Sequence, residues 1–249
     1  MPAPRSSRSI LGVAMSRAMG IMVLLIGVAA SSASRALSQN APALPGRRFE
    51  FDVGVGGAGG GPAGQIEDAM RGNGFDDTLG CDFFCTGTVS HPFTVHDGIT
   101  KSFGISYAVK PHLRLRFERV SAGLGETLGL SGPTMSFLDL RSTVAAWTAA
   151  ALYESGPARI GAGPSLNSIL IERTDLPGGP ASRATRLGLT LMLQLVTSTH
   201  ARVFVEFLAA YHAVGSVTAG PFASTGATLP SLRASFNFAT LQAGLGMRF

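Results

Sequence analysis

The chain has 249 residues, 32 of them glycine, with only 14% charged residues, a mean hydropathy of +0.28 and a formal net charge of +5. Glycine is high and charge low for a water-soluble globular domain, yet no run of about 20 apolar residues occurs in the body of the chain, which argues against crossing a bilayer by helices. The basic balance is no nucleic-acid signature either: Arg5, Arg8, Arg17 and Arg35 all precede residue 39 with no acid among them, and without them the net charge is about +1.

The first segment has the order of a secretory leader. The three basic residues up to Arg17 are followed by the apolar core "AMGIMVLLIGVAA" and then by the small residues of "SSASRALS". This predicts a signal peptide over 1–38, with cleavage between about Ala30 and Gln39, a linker over 39–46, and a single β domain over 47–249.

The first strand is "RRFEFDVGVGG". Its period of two puts Phe49, Phe51, Val53 and Val55 on one face and Arg48, Glu50, Asp52 and Gly54 on the other. A long connection over 57–98 follows. Its glycine run lacks the Lys-Ser/Thr and the strand-turn-helix context of a phosphate loop, so it reads as the exit from the strand. Within it "GQIEDAMRGNGF" predicts a short helix, with Ile66, Ala69 and Met70 on one stripe and Gly72 or Gly74 as its stop.

The only cysteines, Cys81 and Cys85, lie in the same loop. In an exported protein a disulfide is the default. Zinc held by these two with His91 and His96 is a weaker alternative, since nothing anchors the histidines. The loop acids Glu67, Asp68, Asp76, Asp77, Asp82 and Asp97 lack the regular spacing of a calcium loop. No metal or other cofactor is expected.

Four later stretches alternate clearly. "KSFGISYAVK" has Phe103, Ile105, Tyr107 and Val109 on one face, and "HLRLRFERV" sets Leu113, Leu115 and Phe117 against Arg114, Arg116 and Glu118. "TRLGLTLMLQLV" places five leucines, Leu187 to Leu195, opposite Arg186, Gly188, Thr190, Met192 and Gln194. "ARVFVEFLAAYHA" sets Val203, Val205, Phe207, Ala209 and Tyr211 against Arg202, Phe204, Glu206, Leu208 and His212. Between these, 138–153 and 158–172 are Ala-rich and compete with a helix reading; the turn "ESGPA" and the renewed alternation after it favour strands. The eighth strand is "LQAGLGMRF", with Leu241, Ala243, Leu245, Met247 and Phe249 on one face.

Eight strands joined alternately by short turns ("KPH", "ESGPA", "STH") and by long Gly/Pro/Ser-rich connections predict an all-β fold, an eight-stranded antiparallel up-and-down transmembrane β-barrel with long extracellular loops. The layout resembles the small OmpA/OmpX-type barrels of the Gram-negative outer membrane. Leu245, Met247 and the terminal Phe249 are similar to the closing-strand signal that the barrel-assembly machinery recognises. The resemblance implies an outer-membrane location after export through the periplasm, contact with outer-membrane lipid and lipopolysaccharide, a monomer, and no nucleic-acid partner.

If the oily face meets lipid, the polar face lines the lumen. The predicted inward set is Glu50, Asp52, Arg114, Arg116, Glu118, Arg141, Arg159, Arg186, Gln194, Arg202, Glu206, His212 and Arg248, expected to form a plugging charge network because eight strands enclose a narrow bore. The functional expectation is a structural or surface-interaction protein, not an enzyme. A conduit for small hydrophobic molecules is an alternative suggested by inward Phe204, Leu208 and Met192. A lipid A-modifying enzyme is another, with His212 as its base, although no matching nucleophile pattern accompanies it.

Overall fold

The computed structural model describes residues 48–76, 78–80, 88–90, 94–95, 98–131, 136–176, 179–199, 201–224 and 227–249. The predicted leader, the 39–46 linker, Cys81, Cys85, His91 and His96 lie outside the described residues.

Eight strands form the wall: β1 (Phe49–Gly60), β2 (Ile99–Lys110), β3 (Leu113–Ser131), β4 (Ser136–Ser155), β5 (Ala158–Arg173), β6 (Ala181–Val196), β7 (Val203–Ala213) and β8 (Phe238–Arg248). Each pairs antiparallel with its neighbours in sequence, and β8 pairs with β1 from Glu50↔Arg248 to Gly60↔Phe238, which closes the ring. Closure leaves no open edge over the length where the ring is paired; β6 before Leu189 runs on beyond β7. The Ala-rich segments are strands, as the alternation after "ESGPA" predicted. Helix propensity there is overridden because each alanine stretch has a partner strand on both sides.

The short turns fall where expected, between β2 and β3, between β4 and β5 and between β6 and β7, all at one end of the barrel. The other end departs from expectation in one respect. β3 and β4 are not joined by a long loop; they continue as a paired hairpin arm up to Ser131↔Ser136. A bulge between Gly123 and Glu126, with Gly125 at φ 116°, shifts the register. The extra residue reverses the facing of the distal part of β3, so Glu126 turns away from the lumen side.

The helix in the first loop forms as predicted, α1 over Ala63–Gly72, with Ile66 and Met70 fully buried. Gly74 adopts φ 84° just past its end, and the Phe75 amide donates back to the Met70 carbonyl at 3.1 Å. Only glycine takes that conformation cheaply, so Gly74 is the stop. Ile66, Met70 and Phe75 pack with Leu124, Leu138, Leu140, Ile169 and Ile171 of the wall. Val217, Phe222, Leu229 and Phe236, from the segment between β7 and β8, complete that cluster. The long-loop end of the barrel is thus stoppered by an apolar core.

Candidate functional site

The strand faces divide as the alternation indicated. Phe49, Val55, Leu115, Phe117, Leu189, Leu191, Phe207, Leu241 and Leu245 are exposed on the outside. Glu50, Asp52, Arg114, Arg116, Glu118, Arg159, Gln194, Glu206, His212 and Arg248 are buried within.

The charged layer is built around two hubs. Glu50 of β1 accepts a two-pronged hydrogen bond from Arg159 of β5, at 2.7 and 2.9 Å, and one from Arg248 Nε at 2.5 Å. Arg114 comes within 3.3 Å of the same carboxylate. Arg116 of β3 is the second hub. It donates to both oxygens of Asp52 at 2.8 and 2.7 Å and to Glu118 at 3.2 Å, with Glu206 at 3.7 Å. Gln194 links the hubs: it accepts from Arg159 and donates to Glu206. Such two-pronged guanidinium–carboxylate pairs are the strongest charge-assisted geometry available to side chains.

Small residues make the room for them. A side chain at Gly104 would sit 2.5 Å from Asp52 Oδ1 and 2.6 Å from Arg116 Nη2. At Gly246 it would meet the Phe204 ring at 2.2 Å, the ring over which Arg248 lies at 4.2 Å. The glycines that weaken the apolar/polar contrast of β2 and β8 in sequence are therefore the space into which the large inward side chains fold.

Three residues of the predicted network belong elsewhere. Arg186 is exposed, on the part of β6 that extends past the paired length of β7. Arg202 is exposed in the short turn before β7. Arg141 faces the outer side of the hairpin arm and pairs with Glu126 at 3.0 Å. Polarity with the right parity selects a face of a strand, but depth along the barrel decides whether that face is covered. One member was missed. Glu154, read as part of a turn, bridges Arg114 at 3.3 Å and Arg159 at 3.2 Å. Its parity with Leu152 and Ala150 was the available signal.

His212 and the inward apolar residues sit next to this layer. His212 shares a 3.1 Å hydrogen bond with Thr190, which in turn contacts Thr148 at 3.2 Å, and its ring stacks on Phe238 at 4.3 Å. No carboxylate is among its described hydrogen-bond partners. Met192 and Leu208 do face inward, packed with Ala150, Leu152 and Ala210. The described bore is thus occupied by side chains in successive layers, ionic near the short turns and apolar under α1.

A second polar cluster lies on the arm, outside the lumen. Asp139, Glu126 and Asp175 gather around Thr174, whose hydroxyl meets both Asp139 and Glu126. The Thr174 amide donates to the Asp139 carbonyl at 3.0 Å. Burial, with the adjacent Glu126 carboxylate, raises Asp139 from 3.8 to about 6. An acid raised on folding stabilises the folded contact while protonated and loses that contribution as pH rises through its folded value. The arm-to-loop contact therefore weakens between about pH 4 and pH 6. Hydrogen exchange at the Thr174 amide, corrected for its intrinsic rate, becomes less protected over that interval, and Asp139→Asn flattens the profile.

No family model and no curated protein matches the chain. Among solved structures it is similar to Neisserial surface protein A, at 14% identity over 81% of this chain and 97% of that one, with a TM-score of 0.43. It is also similar to Ail, the attachment invasion locus protein of Yersinia pestis, at 8% identity over 81% and 99%, with a TM-score of 0.42. Outer membrane protein AlkL matches at 12% identity over 85% and 96%, with a TM-score of 0.37. Similarity this distant carries no functional argument; the architecture rests on the hydrogen-bonded ring of the chain itself.

Proposed function

We propose that this chain is an outer-membrane β-barrel of structural or surface-interaction type, without catalysis, whose wall is embedded in lipid and whose loop end is displayed outside. The observation that carries the reading is the inversion of polarity between wall and bore. Arg116 and Arg159 are the largest of the fully buried side chains, while Leu241 is 64% and Phe207 51% exposed. A water-soluble barrel has the opposite distribution. Aromatic side chains mark both borders of the apolar wall. Phe49, Tyr153 and Phe249 stand exposed near the short turns, and Trp147 and Tyr211 several residues further along their strands, in keeping with the aromatic girdles of membrane barrels.

A filled bore favours an anchor or display role over a conduit, since Met192, Leu208 and Phe204 are packed against neighbours. A lipid A-modifying role finds little support around His212: its described hydrogen-bond partner is the fully buried Thr190 hydroxyl, and no carboxylate is among those partners to orient the imidazole. Gel mobility of the outer-membrane fraction, with and without boiling in detergent, tests the reading. A heat-dependent shift in that fraction is the expected result. A periplasmic protein with no shift overturns it and makes the chain a soluble barrel with an unexplained oily exterior. Phe207→Arg sharpens the test: on a lipid-facing position it costs about 2–4 kcal/mol near the bilayer midplane, read as a lower urea midpoint in vesicles. On a water-exposed wall the same substitution leaves stability unchanged or improved.

A further inference from the structure

The outer wall carries two neighbouring cations with no described carboxylate partner. Arg119 of β3 and Lys101 of β2 are both exposed and occupy diagonal positions across the β2–β3 ladder, whose register is Phe103↔Arg119 and Lys101↔Ser121. The outward positions around them are Val53 and Val55 on β1, Phe103 on β2, Phe117 and Ser121 on β3, and Ala145 and Trp147 on β4. None is acidic. Arg114, Arg116, Arg141, Arg159 and Arg248 each have a described carboxylate partner, while Arg183 and Arg186 stand exposed on the part of β6 beyond β7, outside the apolar wall. Arg119 instead lies over the Trp147 ring, 5.2 Å from its centroid, and Phe117 stacks on the same ring at 5.4 Å. The aromatic pair orients the guanidinium by its cation–π attraction and leaves its hydrogen-bond donors free to point outward.

Position along the barrel identifies what those donors meet. Arg119 lies six residues beyond the start of β3, which at a tilted rise places it roughly 16 Å from the short-turn end. That is about 9 Å short of the far border of an apolar band about 25 Å tall; Lys101, nine residues before the end of β2, stands at about 24 Å, and the long Arg119 side chain extends toward the same border. A cation pair facing that border calls for an anion, and none of the described outward neighbours is acidic.

We propose that Arg119 and Lys101, with Trp147 as platform, form a docking site for the phosphate-bearing headgroup of an outer-leaflet lipid. The inference rests on the membrane reading and deepens it. Guanidinium and ammonium together suit a phosphate monoester, with Arg119 engaging two oxygens and Lys101 acting as a point charge. The indole ring lies against the first carbons of the lipid.

Trp147 is the sole tryptophan of the chain, so its fluorescence reports from the site. The test uses the folded barrel in phosphatidylcholine vesicles, with Trp147 quenched by brominated-chain phosphatidate or by brominated-chain phosphatidylcholine. The expected result is a preference for phosphatidate on the order of tenfold. The preference disappears in the double variant Lys101→Gln, Arg119→Gln and survives in Arg119→Lys, with heat-dependent gel mobility showing that each variant folds. Equal quenching by both lipids overturns the headgroup site and leaves the membrane reading intact. Absence of quenching by either overturns both together. Inorganic phosphate in the buffer leaves the preference in place; its removal by that ion assigns the site to soluble phosphate and overturns the lipid proposal.

Discussion

Arg116→Ala destabilises the barrel by about 3–5 kcal/mol, because it removes one buried cation from among three buried carboxylates and leaves Asp52, Glu118 and Glu206 without it. The loss is larger than deletion of any single acid of that set, since Arg116 is the hub. It is measured as a fall in the urea midpoint of the folded protein in detergent, followed by Trp147 fluorescence. The four-fold replacement Arg116→Met with Asp52→Leu, Glu118→Leu and Glu206→Leu recovers most of the loss, because removing every member of a buried ionic set leaves no stranded charge. An unaltered midpoint for Arg116→Ala alone means that these groups are solvated and that the bore is open to water at this level.

Glu50→Gln is the second large effect, again about 3–5 kcal/mol. The amide keeps the shape but removes the charge that faces Arg114, Arg159 and Arg248 together. These guanidiniums come from β3, β5 and β8, so Glu50 ties the two strands that close the ring to the opposite wall. The variant is expected to lose the folded band at a lower temperature on the detergent gel. Arg248→Met has a smaller effect. Glu50 retains two arginines in that variant, and the freed backbone carbonyls of Ser198 and Ala201, which Arg248 otherwise serves, lie in a turn that water reaches. If Arg248→Met proves the more damaging, the Arg248–Phe204 stack at closure outweighs the ionic contact.

Much of the wall was legible in the sequence for a local reason. Alternation with a period of two is a property of each strand by itself, so the outward rows of β6, β7 and β8 and the inward charges of β3 could be read residue by residue. The helix in the first loop was legible likewise, since Ile66, Met70 and Gly74 form a stripe and a stop within one short stretch. The arm formed by distal β3 and β4 was not, because "GLGETLGLS" looks like a loop by composition. It becomes strand through pairing with a partner that composition does not reveal.

The chain alone determined the number of strands and, outside the Ala-rich β4 and β5, which residues share a face, because steric alternation along an extended backbone needs no information from elsewhere; which face turns inward, and the facing within β4 and β5, came from the closed ring. Only the tertiary structure decided which charge meets which. Glu50 reaches Arg159 from 109 residues away and Arg248 from 198, a matter of strand tilt and closure that no local pattern encodes. The same closure left Arg186 and Arg202 outside the network and drew in Glu154. A polar side chain is forced to find a partner only at the depth where the ring and its apolar stopper exclude water.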